Sequence, residues 1–162
     1  MYKSDALSDI HARAHESLRR LMAFCGTLEE LELHQPLDGF GFATIHRQLE
    51  HTLGAEVYWQ TVVTKGYLQE AKLPQLPDVA ALEAFRQRTA AITRAYLEHA
   101  SDAELNSTRE MISDPGKTRL LRPADVIMRI VTHIFHHQGQ VLAMCRTIGK
   151  PNDRLDLDYS VD

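Results

Sequence analysis

The sequence is short of the features that assign a function at sight. It has two cysteines in 162 residues, and Cys25 and Cys145 stand far apart, so no disulfide framework is indicated and both are expected to be free thiols in a reducing compartment. Aromatic residues make up only 7%, within an ordinary profile of 44% hydrophobic and 25% charged residues. No run of Lys and Arg occurs and the formal net charge is -4, which argues against nucleic acid as a partner. No apolar run approaches a membrane span, and Met1-Tyr-Lys-Ser-Asp lacks the apolar region of a signal peptide. No membrane partner and a cytoplasmic location are the expectations. Familiar catalytic motifs are also missing. Position 134 is Ile where a zinc peptidase of the His-Glu-x-x-His type needs Glu. The paired Glu-x-x-His motifs of di-iron bundles, a phosphate loop and a Gly-x-Ser-x-Gly elbow are absent.

The one compositional excess is histidine, nine in all. The length suits a single domain, 1–162, with a sizeable core, and helical periodicity dominates it. Leu7, Ile10, Ala14, Leu18, Leu21 and Cys25 mark a first long helix from Ser4 to Cys25, with Ser4 as N-cap and Gly26 past its end. His11 and His15 lie off the centre of that stripe and are expected to be solvated. Thr27 with Glu30 reads as a capping box for a short helix, and Pro36, Gly39 and Gly41 mark a loop. A second long helix runs from near Thr44 to Lys65, with Gly66 behind it. Ile45, Leu49, Thr52, Glu56, Trp59 and Val63 form one line along it; His51 lies at the edge of the apolar arc. Glu56 is a carboxylate in mid-stripe and needs a partner or a proton. A structural role against the first helix suits it best.

Asp78 can cap a third helix, Val79 to His99, and Ser101 with Glu104 opens another short turn of helix. Asp114-Pro-Gly116 is a turn signal inside a short hairpin expected at 108–121. Pro123 opens a last helix that runs to Ile148 and stops at Gly149. An acidic tail with Asp153, Asp156, Asp158 and Asp162 follows. The order long helix, short turn, long helix occurs twice, which predicts an all-α four-helix bundle with a site between the second and fourth long helices.

On the last helix Val126, Ile130, His133, His137, Val141, Met144 and Ile148 share one face. Two imidazoles one turn apart at the centre of an apolar stripe are costly unless they share a purpose, and ligation of one ion supplies it. His51, in the equivalent long helix of the first half, is the best third ligand; His46, His34 and His99 are poorer. Three neutral imidazoles suit Zn²⁺, Ni²⁺ or a similar divalent transition metal. His136, Gln140 and Glu56 are candidates for an extra ligand or for hydrogen bonds that orient the ligands. Met128, Val131, Phe135 and Leu142 make the opposite face of this helix apolar as well, so a homodimer is one way of covering it, the hairpin or tail another.

Leu49-Glu-His-Thr-Leu-Gly-Ala-Glu-Val-Tyr-Trp59, His133-Ile-Phe-His-His137-Gln-Gly-Gln140 and Gly149-Lys-Pro151 together resemble the DinB-like (damage-inducible) family of four-helix-bundle metalloproteins, from about Leu7 to Asp158. The resemblance implies a three-histidine metal site, with His51, His133 and His137 on its positions. Many members carry Tyr and Arg around the second helical histidine; here His136 and Gln138 stand there. Relatives include enzymes that transfer low-molecular-weight thiols or isomerise thiol adducts. Two functions therefore stand open for this chain. One is a metal-dependent enzyme, a thiol S-transferase or hydrolase, that turns a low-molecular-weight thiol or an activated water on a small electrophile. The other is a non-catalytic metal or small-ligand protein of stress response.

Overall fold

The computed structural model describes residues 1–64, 74–114, 116–152 and 157–159. Its elements are α1 (Ser4–Cys25), α2 (Glu30–His34), α3 (Ile45–Thr64), α4 (Val79–His99), α5 (Asp102–Asn106), β1 (Arg109–Asp114), β2 (Lys117–Leu121) and α6 (Pro123–Thr147). The long helices fall where the 3–4 spacing of apolar residues predicts them, and a short hairpin joins the all-α bundle. No helix among the described residues is long and apolar enough to cross a membrane. Lys65 and Gly66, expected to close the second long helix, and Asp153, Asp156 and Asp162 of the acidic tail lie outside the described residues.

Helices α1 and α3 each pack on both α4 and α6, so α1 lies diagonally from α3 and α4 from α6. This arrangement explains the repeated element order. Neighbouring helix axes stand about 8–10 Å apart, and a diagonal link spans roughly 1.4 times that. A tight turn does not cover it, and α2 serves the first diagonal crossing while α5 and the hairpin serve the second. Leu7, Leu18 and Leu21 of α1, Ile45, Leu49 and Leu53 of α3, Leu82 and Leu97 of α4, and Ile127 and Ile130 of α6 are fully buried between the four helices. Each such side chain contributes about 1.5–3 kcal/mol by leaving water, which fixes the rotation of each helix and hence the direction of its polar residues. Val62, Val63, Met111 and Val126 form a smaller cluster where the hairpin closes over one end of α3 and α6. On the back of α6, Val131 is buried and Met128, Phe135 and Leu142 are half-buried against the main core. Cys25 and Cys145 are buried free thiols. They meet: a hydrogen bond from one thiol to the other, then burial, raises the Cys25 pKa.

The caps at Asp78 and Ser101 form as expected, accepting from the N–H groups of Ala81 at 2.7 Å and Glu104 at 3.1 Å. Two other caps differ. Lys3, not Ser4, is the N-cap of α1. The Ser4 hydroxyl donates to the Leu97 carbonyl, and the Ser4 N–H is satisfied by Asp102 of α5 at 3.1 Å. The capping box of α2 joins Glu29 to Glu32, two residues beyond the predicted pair. Thr27 instead donates its hydroxyl back to the Phe24 carbonyl at 2.7 Å, which extends the end of α1 and delays the next helix.

Candidate metal centre

Thr44 opens α3 by accepting the Arg47 N–H at 3.1 Å. From that cap the helix places His51 on the side packed against α6. There it meets His133 and His137, and the ring centroids lie 5.1 Å (His51 to His133), 4.7 Å (His51 to His137) and 4.3 Å (His133 to His137) apart. One ligand nitrogen from each residue lies within 4.8 Å of the others. The three predicted ligands are thus brought together, half-buried at His51 and His133 and buried at His137. The Nε2 atoms of His133 and His137 are 3.1 Å apart. At the usual metal–nitrogen distance of about 2.0–2.1 Å that separation subtends about 95–102° at an ion, between octahedral and tetrahedral values.

Hydrogen bonds decide which nitrogens face the centre. His137 Nδ1–H donates to Gln48 Oε1 at 2.6 Å. The Gln48 amide donates to the Phe42 carbonyl at 3.0 Å and to Gln140 Oε1 at 2.8 Å. The Gln140 amide in turn donates to His136 Nε2 at 2.6 Å. Read along this chain, His137 carries its proton on Nδ1, so its Nε2 lone pair points at the other two imidazoles. The rings are also held neutral. Burial first, then the neighbouring imidazoles, lower His133 and His137 to about 4, and burial lowers His51. Three neutral imidazoles, each bringing one nitrogen to the same point, match a borderline divalent ion. Phe42 stacks on His51 with centroids 4.0 Å apart, and a cavity of about 310 Å³ lined by Phe42, Arg47, Glu50 and His51 opens beside the site. A larger cavity, about 890 Å³, lies on the other side of the bundle between α1 and α4 and includes none of the three histidines.

The remaining candidates divide. Gln140 belongs to the hydrogen-bond chain, bonding Gln48 and His136. His136 is exposed, stands nearly perpendicular to His137 with centroids 4.9 Å apart, and spends Nε2 on Gln140. Its ligand atoms are not among those that converge. Glu56 is not at this centre. Five helical residues turn it about 140° away from His51, and it reaches His11 and His15 of α1 instead. Those two histidines, expected to be solvated, are 3% and 4% exposed, because the carboxylate gives them a polar partner inside the core. Gln138 is also buried; its Oε1 accepts from Ser17 at 3.1 Å, and the same hydroxyl holds the Leu157 carbonyl at 2.7 Å.

Sequence reasoning did not single out Gln48. A signal was there: an amide flanked by Ile45, Leu49 and Thr52 on the apolar arc must find partners when buried. Phe42 had no comparable signal, since its stacking on His51 depends on the path of the preceding loop.

No curated protein matches the chain. The DinB family model matches residues 4–160, from the first residue of α1 to beyond the last described residue, and so includes His51, His133 and His137. The chain belongs to the DinB family.

Proposed function

We propose that this protein is a metal-dependent enzyme that delivers a small nucleophile, a low-molecular-weight thiol or water, to a small electrophilic substrate. The observation that carries this reading is the convergence of three neutral imidazoles beside an open cavity. A sealed site would serve structure alone; this one has an open cavity against His51, one of the three imidazoles. A divalent ion held there supplies Lewis acidity and lowers the pKa of a bound thiol or water. The residues of the chain do the rest. Gln48 fixes the His137 tautomer, and Phe42 holds the His51 ring by stacking. Arg47, paired with Glu50 at 2.6 Å, brings both signs of charge to the cavity wall, where a zwitterionic thiol can be oriented. In the thiol reaction the S–H proton passes to solvent, sulfur forms a bond to the electrophilic carbon, and the leaving group departs with its electron pair.

The test uses metal-stripped protein reloaded with Zn²⁺ or Ni²⁺. Conjugation of glutathione, mycothiol or bacillithiol to an aryl halide is followed, with ester hydrolysis as the second assay. Turnover that depends on the ion and is lost in His137→Ala is the expected result. Full metal loading without turnover in either assay overturns the enzyme reading in favour of a metal or small-ligand protein.

A further inference from the structure

Glu56 sits 2% exposed on α3 and reaches across the diagonal of the bundle to α1. Its Oε1 accepts from Thr93 Oγ1 of α4 at 2.8 Å and lies 2.8 Å from His11 Nε2. Its Oε2 lies 2.8 Å from His15 Nε2. These last two atoms are close but not aligned: both are buried and neither has a hydrogen-bond partner. Two buried polar atoms left unsatisfied at this spacing would both be satisfied by a third partner that they share.

The charges tell the same story. A carboxylate in the core requires a counter-charge, since leaving it unpaired costs several kcal/mol. Arg86 of α4 is nearby, but it directs two 2.6 Å bonds to Glu83. It approaches His15 only at 3.4 Å, at Nδ1 and at the carbonyl. Burial lowers the pKa of His15, so that ring resists supplying the positive charge.

The geometry points to a second divalent-cation site, formed by Nε2 of His11, Nε2 of His15 and the carboxylate of Glu56. Two imidazoles and one carboxylate suit a first-row ion such as Zn²⁺, Mn²⁺ or Fe²⁺. Ligand atoms at about 2.0–2.2 Å from an ion and at right angles stand about 2.8–3.1 Å apart, which is the spacing found between each imidazole nitrogen and its carboxylate oxygen, 2.8 Å. His11 and His15 repeat on α1 the His-x3-His spacing of His133 and His137 on α6, so each pair offers two nitrogens from one helical face. Ligation through Nε2 moves the His15 proton to Nδ1, and Arg86 must then turn away from it. At 3.4 Å little is lost, and Glu83 keeps the guanidinium in place. Because His11, His15 and Glu56 are all sealed from solvent, the ion enters as the bundle closes and serves to tie α1 to α3.

The test counts bound zinc. Full-length protein is stripped of metal, unfolded in urea, refolded with excess Zn²⁺, dialysed and analysed for zinc per chain, with circular dichroism to verify the fold. The expected counts are two for the wild type, one for the double variant His133→Ala/His137→Ala, and one for Glu56→Gln. If Glu56→Gln does not refold, His15→Asn replaces it with the same expectation. Zinc should also raise the thermal midpoint of the His133→Ala/His137→Ala protein. A zinc-free His133→Ala/His137→Ala protein overturns the second site and leaves the open one intact. A count of two that persists in Glu56→Gln or His15→Asn overturns it as well. A single zinc that survives His133→Ala/His137→Ala and vanishes in Glu56→Gln supports this site while removing the basis of the proposed enzyme.

Discussion

Helix α3 meets a His-x3-His pair on each of two sides, and the two meetings differ in nearly every physical respect. On one side His51 faces His133 and His137 of the neighbouring α6, beside a cavity open to solvent. All three groups are bases held neutral, and an amide chain through Gln48 sets the tautomer of His137. On the other side Glu56 faces His11 and His15 of the diagonal α1, sealed in the core with a hydroxyl and a guanidinium around them. Identical spacing on two helices therefore produces an accessible centre in one place and a buried polar knot in the other. Spacing brings two nitrogens together; depth and the third partner decide what they can do.

The largest expected effect breaks the knot. Glu56→Ala leaves the His11 imidazole and the Thr93 hydroxyl buried without their acceptor, and each buried group left unsatisfied costs about 1–3 kcal/mol. Urea unfolding should show it as a lower midpoint at unchanged slope. His51→Ala, at the half-exposed side, should stay within about 1 kcal/mol of the wild type. Equal losses from the two substitutions would erase the distinction between the sides.

Affinity should reverse the ranking at the open side. His137→Ala removes a ligand, and its Zn²⁺ affinity should fall by more than the about 10–100-fold typical of losing an orienting partner. Gln48→Leu removes only the acceptor of the His137 Nδ1 proton and should fall within that about 10–100-fold range. Competition with a chromophoric chelator, in a protein carrying Glu56→Gln so that one centre is counted, reads both. His136→Ala should leave affinity within about threefold, since the exposed ring only ends the hydrogen-bond chain. A loss in His136→Ala as large as in His137→Ala would mean that His136 ligates.

How much of this was legible in the sequence follows from the range of each interaction. His133 and His137 could be read because ligand spacing and apolar periodicity are both local to one helix. His51 could be read from its equivalent place in the repeated element order. Asp78 and Ser101 could be read because a cap bonds an N–H three residues away. A mid-stripe carboxylate needs a partner, so a structural role for Glu56 against the first helix could be read; that His11 and His15 are the side chains that answer it depends on the rotations fixed by Leu7, Leu18 and Leu49. The same tertiary fact buries His11 and His15, which a helical wheel alone places at the edge of the stripe. Thr27 misled because its hydroxyl had a competing acceptor one turn back, at Phe24.

Acid should separate the two sides by pH. His133 and His137 have folded-state pKa values near 4, below the ordinary 6.5. The unfolded chain therefore binds more protons than the folded one between these values, and stability falls as pH drops from about 6.5 towards 4. His15 shifts in the same direction and adds to the slope. The Glu56 pKa lies below the ordinary 4.5 despite the opposing effect of burial, because the two imidazoles beside it favour its charged form. Its contribution is present above 4.5 and is lost only at lower pH. Thermal midpoints of metal-free protein should thus decline through pH 6 to 4.5, and His133→Ala/His137→Ala should make that decline shallower. An unchanged slope in this double variant would show that the open side does not resist protonation.

The smallest effect tests whether a shifted carboxylate is by itself a sign of stability. Glu16 on α1 is held down at about 2, chiefly by its hydrogen bonds to Arg19. By direction it resembles Glu56. It differs in surroundings: the Glu16 side chain is 46% exposed and that of Arg19 48%, so water and salt screen the pair and the ordered side chains lose rotamer freedom. Exposed helical pairs of this kind contribute about 0.3–0.5 kcal/mol, and Glu16→Gln should change stability by no more than that, less again in 1 M NaCl. The sign follows from the lowered pKa: the small stabilisation is present above about 4.5 and disappears as pH falls towards 2. Depth, not the shift, separates Glu16 from Glu56, and a loss in Glu16→Gln approaching that of Glu56→Ala would show that the surface pair and the buried knot obey the same energetics.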